Sequence, residues 1–102
     1  MNTILIATIR TKDQIKDLIS EITSTVKYNH QLVISSSKNS VAINVNKGLE
    51  ASKGKYILKV DDDITGFIPG WDDLLTAPLE KYPEIGVISA RLLNVDGSVQ
   101  LT

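Results

Sequence analysis

The chain has 102 residues, of which 42% are hydrophobic and 23% are charged, and this composition is typical of one globular domain with a buried core. A net charge of −1 provides no basic surface for nucleic acid or an anionic membrane, and the absence of cysteine excludes disulfides, thiolate nucleophiles and cysteine-ligated zinc. No apolar stretch approaches the roughly 20 residues that span a bilayer, and no basic region precedes the first apolar segment. We therefore expect a cytoplasmic protein without a transmembrane segment.

The first half of the chain alternates between strand and helix patterns. Residues 4–9 form an apolar run rich in β-branched side chains, which predicts a strand buried on both faces. Thr11 and Gln14 form a capping box, and the helix after it places these apolar residues on one face: Ile15, Leu18, Ile19, Ile22 and Val26. A second strand is predicted at 31–35 after a turn at Asn29 and His30. Ser40 is predicted to cap a second helix that ends at Gly54, with an apolar face formed by Val41, Ala42, Val45 and Leu49.

The second half continues the alternation. A third strand is predicted at 56–60, followed by three acids and a Gly/Pro loop. A third helix begins near Trp71 and is predicted to bend or end near Pro78. A fourth strand at 86–90 precedes a hairpin at 94–99, which contains the turn signal Asp-Gly. This order predicts an α/β fold, a three-layer sandwich with a mainly parallel sheet.

The three consecutive acids, Asp61, Asp62 and Asp63, are the strongest functional signal. Their mutual repulsion costs stability unless a cation or hydrogen-bond donors offset it. The carboxyl end of a core strand is also where α/β proteins place ligand sites. On an extended segment Asp61 and Asp63 would point the same way, with Cα atoms about 6.5 Å apart. Such a pair suits Mn²⁺ or Mg²⁺, which usually also bind substrate phosphates.

Four interpretations of the triplet remain open from the residues alone. It can form a nucleotide-sugar site, or it can cap the next helix as a solvated acidic loop. It also fits the D-x-D-x-T pattern of an aspartyl-phosphate phosphatase, with Asp61 as nucleophile and Asp63 as acid/base, although the chain after it is short for the remaining machinery. The spacing of a calcium-binding EF-hand loop is present too, but a strand precedes it and Pro69 interrupts it.

Read outward from the triplet, nearly the whole chain resembles the family-2 glycosyltransferases of the GT-A fold, a Rossmann-like nucleotide-diphospho-sugar transferase fold. Residues 4–10 resemble the family's first strand and threonine-containing nucleotide loop. Residues 44–57 resemble its A-R-N-x-G-I…A-x-G-E-Y-I run, and residues 60–63 match its L-D-D-D metal motif. Residues 69–71 resemble the family's P-x-W segment. Residues 86–88 and 91–100 are similar to the strand and the hairpin of rhamnosyltransferase-like members.

The resemblance implies a metal-dependent transfer of a sugar from a nucleotide-diphosphate donor to an acceptor that the sequence does not identify. The metal, Mn²⁺ or Mg²⁺, would be bound by Asp61 and Asp63. By the same resemblance the nucleotide sugar would be bound by Thr8, Arg10, Ser36, Asn46, Asp61 and Asp62.

The chain also departs from the family pattern. The family's base-binding Asp after the second strand is replaced here by serines, so a hydroxyl such as that of Ser36 must substitute for it, and the arginine expected before Asn46 is Val45. The general base of the family would lie past Thr102. We therefore expect one domain over residues 1–102 that lacks the usual C-terminal acceptor-binding part and forms a homodimer through the uncovered face. A non-catalytic nucleotide-sugar-binding module is the alternative.

Overall fold

The computed structural model describes residues 1–88 and has a three-stranded parallel sheet at its centre. The strands, in the spatial order β2-β1-β3, are β1 (Asn2–Thr8), β2 (His30–Ser36) and β3 (Ile57–Val60). A short 3₁₀ turn at Asp13–Ile15 precedes the first of the helices, which are α1 (Lys16–Thr25), α2 (Val41–Ala51) and α3 (Trp71–Lys81). The predicted α/β fold with a parallel sheet is confirmed.

The central strand β1 is buried along its whole length. Ile4, Leu5 and Ile6 are each 0% exposed, because β1 has a strand on either side and successive side chains point to opposite faces of the sheet. Each such side chain contributes about 1.5–3 kcal/mol of hydrophobic stabilisation. The prediction of a strand buried on both faces is therefore confirmed.

One face of the sheet packs against α1 and the start of α3. Their core is formed by Ile4, Ile6, Ile15, Leu18, Ile22, Leu58, Val60 and Trp71. The capping box is present, since the Thr11 amide donates to Gln14 Oε1 at 2.9 Å and the Gln14 amide donates to Thr11 Oγ1 at 3.3 Å. The indole Nε1 of Trp71 donates to Thr25 Oγ1 at 3.0 Å, which joins the beginning of α3 to the end of α1.

The other face is covered by α2, and here the predicted apolar face is wrong. Val41 is 50% exposed and Leu49 is 43% exposed, whereas Asn44 and Gly48 are the buried residues of this helix. A Cβ added to Gly48 would lie 2.2 Å from Leu5 Cδ1, so a side chain at this position would require the Leu5 side chain to move. The predicted Ser40 cap is confirmed by a 3.3 Å hydrogen bond from the Ile43 amide to Ser40 Oγ.

Two further boundaries differ from the predicted ones. Helix α2 ends at Ala51, before Gly54, and Gly54 instead packs against β1: an added Cβ would lie 2.3 Å from the Thr3 amide nitrogen. Helix α3 contains Pro78 and continues to Lys81, because proline removes one amide donor without ending the helix here.

The fourth strand was predicted at 86–90, but residues 86–88 are not in a strand, and residues 89 and 90 lie outside the described residues, as does the whole predicted hairpin at 94–99. Within residues 1–88, the outer edge of β3 is unpaired. None of the helices in that part of the chain is both long enough and apolar enough to span a membrane.

Candidate functional site

The parallel arrangement brings the predicted site residues to one edge of the sheet. Thr8 and Ser36, the last residues of β1 and β2, are paired in the register of the sheet. Ile6 pairs with Val60, the last residue of β3, so the acids after Val60 follow beside the end of β1. The carboxyl edge of the sheet therefore places the first loop and the acid triplet together.

Asp62, the middle acid, is the one that contacts the first loop. Its Oδ2 accepts a 2.7 Å hydrogen bond from Thr8 Oγ1 and lies 3.8 Å from Arg10 Nε. Thr8 is 1% exposed, and its Oγ1 also accepts a 2.9 Å hydrogen bond from the Arg10 amide. The arrangement joins two segments that are far apart in sequence into one unit.

Asp61 and Asp63 are both exposed, but the extended geometry predicted for them is wrong. Strand β3 ends at Val60, and Asp62 and Asp63 form a turn, so the alternation of a strand does not apply to the triplet. Asp61 Oδ1 accepts a 3.2 Å hydrogen bond from Lys59 Nζ, and both side chains are about half exposed, at 61% and 49%. The lysine offsets part of the repulsion within the triplet.

Ser36 and Asn46, predicted to bind the nucleotide sugar, have different surroundings. The Ser36 hydroxyl donates to the carbonyl oxygen of Arg10, which ties the end of β2 to the first loop. Asn46 is exposed on α2. The asparagine of α2 that faces the strand ends is Asn44, which is 0% exposed.

Sequence reasoning missed Asn44. Its Nδ2 donates to the Thr8 carbonyl at 2.9 Å and to the Ser37 carbonyl at 3.2 Å, and its Oδ1 accepts from Ser37 Oγ at 2.6 Å. The available signal was its spacing, because Asn44 lies one helical turn before Gly48 and so on the same face of the helix. A small residue at one of these positions marks the face in close contact with the sheet.

Glu21 of α1 holds the loop that follows the acids, and sequence reasoning did not single it out. Its Oε1 accepts hydrogen bonds from the amides of Gly66 at 2.7 Å and Phe67 at 2.8 Å. Gly66 has a φ of 79°, a left-handed conformation that favours glycine. The acidic turn is therefore held on one side by Thr8 and Arg10 and on the other by α1.

Asp61 and Asp63 could hold a metal ion whose remaining coordination positions are filled by substrate phosphates and water. Within residues 1–88 no group of three or more His, Cys, Asp or Glu side chains is placed to hold a metal ion. Mg²⁺ and similar ions are nevertheless often bound by one or two carboxylates together with substrate phosphates and water. Asp61 and Asp63 supply exposed hard oxygen ligands of this kind. Asp61 also lines a groove of about 540 Å³ along the outer edge of β3, together with Lys59, Ile64 and Trp71.

Comparison with known proteins gives one match. The model of the family described as Glycosyl transferase family 2 matches residues 6–101. No curated protein and no solved structure matches the chain. The matched range includes both the first loop and the acid triplet, which the structure brings together at the carboxyl edge of the sheet.

Proposed function

The chain belongs to glycosyl transferase family 2, and we propose that it transfers a sugar from a nucleotide-diphosphate donor bound at the carboxyl edge of its sheet. The observation that carries this proposal is the 2.7 Å hydrogen bond between Thr8 and Asp62. It joins the loop proposed to bind the nucleoside with the acids proposed to bind the diphosphate. A donor molecule extending from one to the other would lie across the ends of β1 and β3.

The nucleoside is proposed to bind at the ends of β1 and β2. The Arg10 side chain is 51% exposed there, so its guanidinium is accessible to a base or ribose. The Ser36 hydroxyl donates its hydrogen to the Arg10 carbonyl, and its oxygen therefore retains lone pairs that can accept from a base N–H group. These two features support a role for Arg10 and Ser36 in base recognition. The exposed Asn46 remains a proposed contact from α2.

The diphosphate is proposed to bind at Asp61 and Asp63 with Mn²⁺ or Mg²⁺. The metal would act as a Lewis acid on the departing diphosphate. Asp61 must exchange its ion pair with Lys59 for this contact, and the exchange costs little because exposed ion pairs contribute about 0–1 kcal/mol. Lys59 then lies near the diphosphate as an additional positive charge.

Isothermal titration of the full chain with UDP, GDP, ADP and dTDP, each with Mn²⁺, tests donor binding. We expect one nucleotide to bind clearly better than the others, and we expect Asp63→Ala to weaken its binding at least tenfold, which corresponds to about 1.4 kcal/mol. Glu80→Ala is the matched control, because Glu80 is an exposed carboxylate that pairs with Lys55 before the start of β3. The absence of binding by the wild type, or equal binding by Asp63→Ala, would contradict the proposal.

A turnover assay separates transfer from binding alone. Inverting transfer needs a general base near the acceptor hydroxyl, and the acids of the triplet are proposed to bind the donor instead. Release of the nucleotide diphosphate from its sugar, lost in Asp61→Asn, would support an active transferase. Nucleotide binding without such release would support the alternative of a nucleotide-sugar-binding module.

Self-association remains a proposal, and its candidate interface is the outer edge of β3, which has no strand beside it within residues 1–88. Within the described residues this edge carries Ile57, which is 42% exposed, and an unpaired strand edge favours pairing with another chain. Sedimentation velocity should give a dimer, and a strictly monomeric profile over a tenfold concentration range would refute it.

A further inference from the structure

Asn44 is a fully buried polar side chain that connects the ends of two strands. It bonds to the Thr8 carbonyl at the end of β1 and to both the carbonyl and the hydroxyl of Ser37, directly after β2. The Ser37 amide also donates to the Thr8 carbonyl at 3.3 Å. A buried amide with all these partners is costly to lose, because each partner left unpaired retains its desolvation penalty.

The close approach of α2 to the sheet is what allows Asn44 to reach the strand ends. Gly48, one turn later on the same face, packs against the Leu5 side chain, which would have to move to admit a larger residue there. A short amide can then bridge from the helix to backbone groups of β1 and the segment after β2. The helix and its asparagine thus hold the segments that follow two strands, whose ends are already paired through the backbone.

We propose that Asn44 is a positioning residue that fixes the segments following β1 and β2, beside which the nucleoside of the donor binds. This inference rests on the proposed function, and it adds a residue that does not itself touch the donor. Thr8 is the link: Asn44 bonds to its carbonyl, while its hydroxyl bonds to Asp62.

The structure also limits how far the effect of Asn44 extends. The acidic turn has a second support from Glu21, which binds the amides of Gly66 and Phe67 and does not depend on α2. Loss of Asn44 should therefore disturb the nucleoside-binding segments after β1 and β2 much more than the diphosphate-binding acids, which Glu21 still supports. The two parts of the donor can be probed separately.

The test compares two ligands on the same variant. Isothermal titration in the presence of Mn²⁺ measures the Kd of the tightest-binding nucleoside diphosphate and the Kd of inorganic diphosphate. For Asn44→Ala we expect the nucleotide Kd to rise about tenfold, the effect of losing roughly one hydrogen bond, and the diphosphate Kd to change less than about twofold. Equal nucleotide affinity, or an equal loss for both ligands, would overturn the positioning role.

Two further variants guard against an effect of stability alone. Ile22→Val shortens a buried side chain on the opposite face of the sheet, and both of its Kd values should match those of the wild type. Ser37→Ala removes the hydroxyl that donates to Asn44 and accepts from the amide of the exposed Asn39, and it serves if Asn44→Ala does not fold. We expect its nucleotide Kd to rise about threefold with the diphosphate Kd unchanged. A wild type that binds no nucleotide refutes the proposed function, and the positioning role with it. A wild type that binds, with variants that bind equally, refutes the positioning role alone.

Discussion

The hydrogen bond between Thr8 and Asp62 can be measured directly by a double-mutant cycle. Thr8→Val removes the hydroxyl and retains the branched shape of the side chain, so no cavity forms at this buried position. Asp62→Ala removes the acceptor. The interaction energy is the change in the free energy of unfolding caused by the double substitution, minus the sum of the changes caused by the two single substitutions.

The structure sets the expected magnitude. A hydrogen bond to a charged group contributes about 1.5–3 kcal/mol. The Asp62 side chain is 24% exposed, and water therefore screens part of its charge. The Arg10 amide, which loses Thr8 Oγ1 as its acceptor, belongs to an exposed residue and can bond to water instead. We therefore expect a coupling energy of about 1–2 kcal/mol, which extends from the lower part of that range to slightly below it.

Urea denaturation of the four proteins at pH 7 gives the coupling energy. A control cycle pairs Thr8→Val with Glu80→Ala, since Glu80 bonds to Lys55 before β3 and shares no partner with Thr8. That cycle should be additive within about 0.3–0.5 kcal/mol. If the Thr8–Asp62 cycle is equally additive, the contact does not join the two segments, and the main support for a single donor site is lost.

Two other predictions concern the loop after the acids and the pH dependence of stability. Glu21→Ala should weaken the binding of inorganic diphosphate with Mn²⁺ several-fold, measured by titration calorimetry, because the amide of Gly66 loses its acceptor. Glu21→Gln keeps an Oε1 acceptor and should retain most of the affinity. Equal losses in both variants would contradict this prediction. The hydrogen bond from Tyr28 Oη lowers the pKa of Asp73, so Asp73 contributes stability above its unfolded pKa of about 3.9, and this contribution is lost as the pH falls through the lower folded pKa. Urea denaturation should accordingly show a destabilising effect of Tyr28→Phe at pH 7 that shrinks by pH 2, and a pH-independent effect would exclude Asp73 as the cause.

The elements that the sequence predicts correctly are those with local causes. The capping box of Thr11 and Gln14 consists of two hydrogen bonds between residues three positions apart, so a short stretch of sequence is enough to predict it. The continuous apolar run of β1 requires burial on both faces, which a central parallel strand provides. The meeting of the first loop and the acids at the carboxyl edge could be predicted too, since the order of strands and helices fixes where parallel strands end.

Helix α2 shows where this reasoning fails. The apolar residues Val41 and Leu49 suggested the buried face, yet the sheet contacts Asn44 and Gly48. The helix meets the sheet at a residue without a side chain, and a pattern of hydrophobic residues does not identify such a position. Asn44 is buried because distant groups, the Thr8 and Ser37 carbonyls, satisfy its amide. Neither partner can be inferred from the residues around Asn44.

The protein tolerates three adjacent carboxylates because Asp61, Asp62 and Asp63 have different surroundings. Asp61 is paired with Lys59, and Asp62 is bonded to Thr8 and close to Arg10, so two of the three charges are partly offset within the protein. Asp63 lies exposed in the turn. Repulsion among the acids is therefore reduced without being removed, and the repulsion that remains would favour the divalent cation proposed above. Asp62, the most protected of the three, is proposed to keep its contact with the first loop when a metal binds its two neighbours.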